Sequence, residues 1–176
     1  MEAIKAINTR RSIRSYKKKS IPKRIVKQLI NAGRNAPSAF NDQPWVFITF
    51  TDQAKKDSIA KHKSQRSKFI REAPLMIACC YDERKSHSAA HNLENVAVAA
   101  ENILLAAHAL GLGACYIGAF DPNYPGIEKS IIKQLKLPKH VKIVCLISVG
   151  YPNEVPGKKR MRPLNEVWKN EFYSTD

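Results

Sequence analysis

Three arginines and a serine stand within five residues at Arg10-Arg11-Ser12-Ile13-Arg14. Guanidinium groups offer planar, paired donors and a serine hydroxyl adds another, so this run has the chemistry to surround a phosphate. Basic pentapeptides are more often solvated surface, and taken alone this one does not decide between the two. A second basic run, Lys158-Lys159-Arg160-Met161-Arg162-Pro163, follows Gly150-Tyr151-Pro152. It reads either as the second pole of a phosphate site or as another basic loop.

Two further stretches could meet a flat, polar-edged ligand. In Ala36-Pro37-Ser38-Ala39-Phe40-Asn41-Asp42-Gln43-Pro44-Trp45, the prolines restrict the backbone. Ser38, Asn41 and Gln43 there supply short donors and acceptors of the kind that bond a heteroaromatic edge or a sugar chain. An ordinary helix-to-strand loop has the same composition. In Gly111-Leu112-Gly113-Ala114-Cys115-Tyr116-Ile117-Gly118-Ala119-Phe120, small residues let the backbone approach a ligand closely. Gly111 also suits a helix C-terminus, which leaves Gly118 and Ala119 as the more informative pair.

Other chemistries lack their signatures. There is no P-loop and no G-x-G-x-x-G, and the loops above hold neither a G-x-S-x-G elbow nor paired catalytic carboxylates. Cys79, Cys80, Cys115 and Cys145 form no C-x-x-C pair and sit in apolar segments, so they read as buried thiols. His87 and His91 share helical spacing without a third ligand, and no metal is expected. Chemistry would therefore have to come from a cofactor.

The elements that must position these residues can be read from periodicity. The 176 residues suit one domain, residues 1–176, and 44% hydrophobic content suits a globular core. A short helix is expected at about 2–8. Another should follow from an N-cap at Ser20, with Pro22 in its first turn, and end before Gly33. Apolar, β-branched runs predict strands at 45–51, 75–81 and 142–149, with helices near 53–70, 93–110 and 126–136 between them. The 93–110 helix has almost no polar face and should be covered on all sides, which a second subunit would accomplish most simply. The alternation points to an α+β or α/β sandwich. No run reaches the roughly 18 apolar residues of a membrane span, and a cytoplasmic protein is expected.

Charge is uneven. The formal net charge is +15, and residues 1–40 hold 11 Lys or Arg against the single acid Glu2. A solvated face, nucleic acid or an anionic cofactor would each suit it, and net charge alone does not choose.

Taken together and in order, R-R-S-I-R-S-Y, A-P-S-A-F-N-D-Q-P-W, the helix ending in A-L-G-L-G, and G-Y-P followed by R-M-R-P resemble the nitroreductase family of FMN-dependent oxidoreductases. The resemblance spans nearly the whole chain. It implies a three-layer α/β/α sandwich with a mainly antiparallel sheet, assembled as a homodimer with two FMN sites at the subunit interface. It implies that Arg10, Ser12 and Arg14 hold the FMN phosphate and ribityl chain with Arg11 alongside, joined by Arg160 and Arg162. Pro37, Ser38, Ala39 and Asn41 would touch the isoalloxazine from the other subunit, with Gln43 either there or structural. Ile117, Gly118 and Ala119 would lie near the reactive edge of the ring, and a polar residue among 65–68 would read its pyrimidine side.

The activity implied is ping-pong. NADH or NADPH reduces the flavin and departs, and a small acceptor such as a nitroaromatic, quinone or flavin is reduced in its place. Dehalogenation and oxygen-dependent flavin fragmentation belong to the same resemblance. Outside it stand a flavin-binding module without turnover and a basic nucleic-acid-binding module. Nucleic acid is disfavoured because stacking aromatics are sparse around the N-terminal arginines.

Overall fold

Four segments carry enough extended, apolar character to pair: β1 (Trp45–Phe50), β2 (Leu75–Asp82), β3 (Gly113–Gly118) and β4 (Val141–Gly150). In the computed structural model, which describes residues 1–62, 68–119 and 125–173, they form one sheet in the order β1-β2-β4-β3. Every neighbouring pair is antiparallel.

Alternation along the two central strands feeds two cores. Ile77, Cys79, Cys145, Ile147 and Val149 point to one face, where they meet Leu29 of α2 (Lys23–Arg34) and Val96, Ala100, Ile103 and Ala107 of α5 (Asn92–Ala109). Met76, Ala78, Ile143 and Leu146 point to the other. There they meet Ile59 of α3 (Gln53–Ala60), Ile70 of α4 (Lys68–Glu72), and Ile127 and Ile131 of α6 (Gly126–Leu135). The result is the expected α/β/α layering. Because both faces are covered, β2 and β4 read as continuous apolar runs. Each fully buried Leu or Ile contributes about 1.5–3 kcal/mol by leaving water.

Three differences from the sequence reading have physical causes. Segment 113–118, where the sequence reading placed no strand, is β3. Its Gly, Ala and Cys residues lack the β-branched signature, yet they allow close packing. The second helix begins at Lys23 with Pro22 at its N-cap and no side-chain cap, so Ser20 stands outside it. Pro22 accepts from the amides of Ile25 and Val26, which starts the helix without a hydroxyl. That helix also runs through Gly33 to Arg34, because a Cβ on Gly33 would come within 2.9 Å of Ile103, and the bare backbone lets α2 approach α5.

The expected helix at 53–70 is represented by α3 and α4, with 63–67 outside the described residues. Helix α5 matches its expected span but is not enclosed within one chain: Leu93 is 59% and Val98 42% exposed on its outer side. The four cysteines are buried and free, and Cys79 faces Cys145 across β2 and β4. Among the described residues no helix is long and apolar enough to cross a membrane.

Candidate functional site

The basic N-terminal segment is anchored along the open edge of β3. Helix α1 (Ala3–Thr9) ends at Arg10, and the chain turns to run beside the strand. Ser12 forms a parallel bridge to Ala114, and the Ile13 amide donates to the Ala114 carbonyl at 3.0 Å. Two glycines make the anchoring possible. A Cβ on Gly113 would lie 2.6 Å from the Ile13 Cβ, and one on Gly150 would lie 2.6 Å from the Tyr16 ring. Ile13 and Tyr16 are thereby buried. The Tyr16 hydroxyl reaches the Ile13 carbonyl and lies 2.7 Å from Ser148 Oγ. Burial pushes the Tyr16 phenol above its ordinary range, so it stays protonated.

With Ile13 and Tyr16 turned inward, Ser12 and Arg14 turn outward. A cavity of about 470 Å³ opens beside them, lined by Arg11, Ser12, Arg14, Glu154, Lys158 and Lys159 together with Val155–Gly157. Four cations there face one carboxylate. Glu154 accepts from the backbone amides of both Arg14 and Ser15, pinning the main chain while the Arg14 side chain lines the cavity. Arg11 is tied back to the carbonyls of Asn8 (3.0 Å) and Arg10 (2.8 Å). Cys115 of β3 is buried close to Ser12 and Arg14: burial pushes its thiol up, opposed by Arg14, Ser12 and Arg10. The thiol remains neutral and leaves the surrounding positive charge uncancelled. This donor set suits a phosphate, since guanidinium and ammonium groups make the stronger, charge-assisted bonds to it.

The other expected residues lie at varying distances from this cradle. Arg10 turns onto α5, its Nε 3.3 Å from Glu101 Oε1. That geometry is an ion pair without hydrogen-bond alignment, which leaves Arg10 Nε buried without an aligned acceptor among the described residues. Arg160 and Arg162 are exposed outside the cavity, and Arg162 pairs with Glu166 at 3.0 Å. Their places on the cavity wall are taken by Lys158 and Lys159. Ile117 and Ala119 are buried, and Gly118 is the more accessible of the three. Gly118 is four residues along β3 from Ala114, about 13 Å at the rise of an extended strand. The residue expected to read the ring falls outside the described residues unless it is Lys68, which begins α4.

The loop holding Pro37, Ser38, Ala39, Asn41 and Gln43 does not line this cavity. It sits at the start of α5, where Asn95 accepts from the Ala39 amide at 3.0 Å. Ser38 Oγ accepts from the Gln43 amide at 3.0 Å, and the Gln43 side chain donates to Asn41 at 3.1 Å. Phe40, Asn41 and Gln43 have positive φ values of 55°, 56° and 49°, a conformation that non-glycine residues adopt at a cost. Asp42 accepts from both the His87 ring and the His87 amide. Phe40 is 73% exposed.

Sequence reasoning passed over Glu154, a lone acid in a basic stretch whose role depends on the turn that brings residue 154 to residue 14. Lys158 and Lys159 belong to the basic run 158–163, of which the resemblance implies Arg160 and Arg162 and not the two lysines.

The Nitroreductase family model matches residues 7–66 and 61–151. The chain is 33% identical over 159 residues to a Methanothermobacter thermautotrophicus protein named for NADH dehydrogenase/NAD(P)H nitroreductase activity, covering 90% of this chain and 82% of that one. It is 30% identical to a Bacillus subtilis FMN reductase [NAD(P)H], covering 98% of this chain and 74% of that one. A solved structure of an FMN-dependent nitroreductase from Clostridium difficile superposes with a TM-score of 0.78 at 29% identity, covering 98% and 99% of the two chains. With the α/β/α fold and the basic cradle along β3, these matches establish that the chain belongs to the nitroreductase family.

Proposed function

We propose that this chain binds FMN and moves reducing equivalents from NADH or NADPH to a small acceptor. The observation that carries the reading is the convergence of Arg11, Ser12 and Arg14 with Lys158 and Lys159 on one cavity at the edge of β3. Bound FMN would supply the redox chemistry, taking two electrons from the nicotinamide and giving them to a nitroaromatic, quinone or flavin in a ping-pong cycle. The protein supplies position and charge.

Arg14 and Ser12 hold the FMN phosphate, with Lys158 and Lys159 closing over it. Arg10 and Arg162, paired with Glu101 and Glu166, and the exposed Arg160 stand outside the cavity and contribute less. Glu154 keeps the backbone of Arg14 fixed, so the guanidinium alone moves to meet the ligand. The backbone around Gly118 lets the isoalloxazine edge come close, with Ile117 and Ala119 securing the strand behind it. The Cys115 and Tyr16 protons stay in place, so neither group serves as an acid or base.

The site is completed by a second copy of the chain. Pro37, Ser38, Ala39, Asn41 and Gln43 reach outward on a conformationally costly loop with Phe40 at its tip, away from the cradle of their own chain. Beside that loop, α5 presents Leu93 and Val98, and α1 presents Ile4 and Ile7, which are 69% and 51% exposed. Apolar surface of this extent is expected to be covered. A homodimer covers it and brings the loop of one chain to the flavin of the other.

The test is optical. Apo-protein titrated with FMN should bind about one flavin per chain and quench its fluorescence. Adding NADH or NADPH without oxygen should bleach the flavin band, and a quinone or nitroaromatic should restore it. Failure to retain FMN overturns the proposal, and retention without bleaching by either nicotinamide reduces it to a flavin-binding module.

A further inference from the structure

Behind the flavin-phosphate cradle lies a second, larger cationic cavity of about 960 Å³. The two are separated by a narrow ribbon of chain. The Lys17 amide donates to the Tyr151 carbonyl at 2.9 Å, Tyr16 bridges Pro152, and the Asn153 amide donates to the Ser15 carbonyl at 3.0 Å. Side chains alternate across such a ribbon. Arg14 and Glu154 line the first cavity, whereas Ser15 and Asn153 line the second.

One wall of the second cavity carries Lys17, Lys18 and Lys19. The opposite wall carries Lys56 of α3 with Lys68 and Arg71 of α4. Among the described lining residues Glu72 is the one acid. Three of the cations are already engaged: Lys68 with Glu72 at 3.4 Å, Arg71 with Asp57 at 3.9 Å, and Lys19 over the Tyr151 ring at 4.5 Å. Lys17, Lys18 and Lys56 have no carboxylate within ion-pair distance among the described residues.

Lys56 is the telling member. It is only 5% exposed, and its Nζ donates to the Ala73 carbonyl at 2.9 Å. An ammonium group has three donors, and burying one against a neutral carbonyl is costly unless an anion compensates. Desolvation lowers its pKa, and the charges of Asp57 and Asp52, both beyond ion-pair distance, only partly oppose that.

We infer that the cleft between residues 15–20 and helices α3 and α4 is a second anion site, taking a small ligand that carries linked phosphates. Lysine ammoniums act as mobile point charges that read charge density more than planar shape, which suits phosphate chains better than a single carboxylate. Two opposed cationic walls exceed what one phosphate can neutralise. Among the described residues lining the cleft no aromatic face is open for stacking: the Tyr16 ring is buried, and Lys19 covers the nearby Tyr151. A nucleic-acid strand would lack the platforms that usually bind its bases. The linked phosphates could belong to the nicotinamide reductant or to a free oligophosphate. The site itself does not depend on the redox reading.

The experiment uses FMN-saturated protein, so that the first cradle is filled. Calorimetric titration with orthophosphate, pyrophosphate and tripolyphosphate near 0.15 M salt should show saturable binding of one ligand per chain. Affinity should rise about tenfold or more from orthophosphate to tripolyphosphate, as each added charge-assisted contact is worth roughly a factor of ten. The exposed-residue double variant Lys17→Glu/Lys18→Glu should weaken tripolyphosphate at least about tenfold with FMN affinity unchanged. Lys56→Met should do the same from the opposite wall. If Lys56→Met fails to fold, the double variant alone decides.

The source is then assigned by kinetics. A raised KM for NADPH in the double variant, with pyrophosphate competing against NADPH, gives the site to the reductant. An unchanged KM with tripolyphosphate still bound gives it to a free oligophosphate. The inference is overturned by absence of saturable binding, by binding indifferent to the double variant, or by a single-stranded oligonucleotide binding more tightly than tripolyphosphate.

Discussion

Residues 12–16 and 36–44 both carry proposed flavin contacts, and they are built in opposite ways. The first segment is sunk into its own chain: Ile13 and Tyr16 are buried against Gly113 and Gly150, and Glu154 holds the backbone between them. The second points outward. Three of its non-glycine residues have positive φ, its tip Phe40 is exposed, and its fixed points are Asn95, Asp42 and His87. A segment that folds onto its own sheet can place a phosphate site by itself. A segment with such a backbone and an apolar tip is shaped to be finished by something else. On the proposed function, the cofactor site divides into an intrachain half that folding sets and an outward half that a second copy of the chain would complete.

The sharpest way to break the first half is Gly150→Ala. The added Cβ would stand 2.6 Å from Tyr16 Cδ1 and 2.7 Å from Pro74 Cδ, and both are rigid rings. Overpacking of this kind costs about 1–3 kcal/mol. The variant should melt at lower temperature and lose FMN and riboflavin together, because Arg14 moves with Tyr16. Thermal denaturation in the presence and absence of each flavin checks it; unchanged melting would mean that Tyr16 is not the anchor.

Arg14→Ala sharpens the same half without disturbing the anchor. A charge-assisted contact to phosphate is worth about 1.5–3 kcal/mol, so FMN should bind roughly tenfold to a hundredfold more weakly. Riboflavin lacks the phosphate and should bind nearly as before. Arg162→Ala should cost less, because Arg162 is paired with Glu166 outside the cavity. Equal losses for both flavins would turn Arg14 into a fold residue.

The second half is tested by Val98→Glu on the exposed side of α5. A change at a surface position should alter the stability of one chain by no more than about 0.5 kcal/mol. Placed in a covered apolar interface, the same carboxylate would be desolvated and would split the dimer. Sedimentation should show a dimer for the parent and a monomer for the variant, with FMN weakened in step. A variant that stays dimeric would move the interface away from α5.

The division between halves also explains what the sequence could show. Both cores were legible because apolar periodicity is local: strands 45–51, 75–81 and 142–149 and the helix at 93–110 fell within two residues of their observed ends. β3 was not legible, since Gly113, Ala114 and Cys115 owe their strand to tertiary packing against Ile13 and β4. The basic run at 10–14 announced its chemistry, but which of its side chains face the cavity was settled by Ile13 and Tyr16 turning inward. Glu154 was hidden because its partners lie about 140 positions away in the chain. Arg160 and Arg162 were named through resemblance, whereas the fold of one chain puts Lys158 and Lys159 on the wall.

The smallest expected effect concerns the latch beneath the outward loop, where His87 donates to Asp42 from both ring and backbone. The ring contact is the larger reason, and the backbone contact a further one, why the Asp42 carboxyl titrates below its ordinary range. The sign follows from linkage: a carboxylate with a lowered folded pKa stabilises the fold above its unfolded pKa of about 3.9 and loses that contribution as pH falls through the lower folded value. His87→Ala removes the ring contact and keeps the amide. It should lower the melting temperature slightly at pH 7, and the difference from the parent should shrink as the pH is taken below about 4. If the loop serves the flavin of a second chain, the same variant should weaken FMN in the dimer and leave the monomeric Val98→Glu background unaffected. A melting difference that persists unchanged at low pH would show that His87 acts through its packing against Phe40, 5.9 Å between ring centres, and not through Asp42.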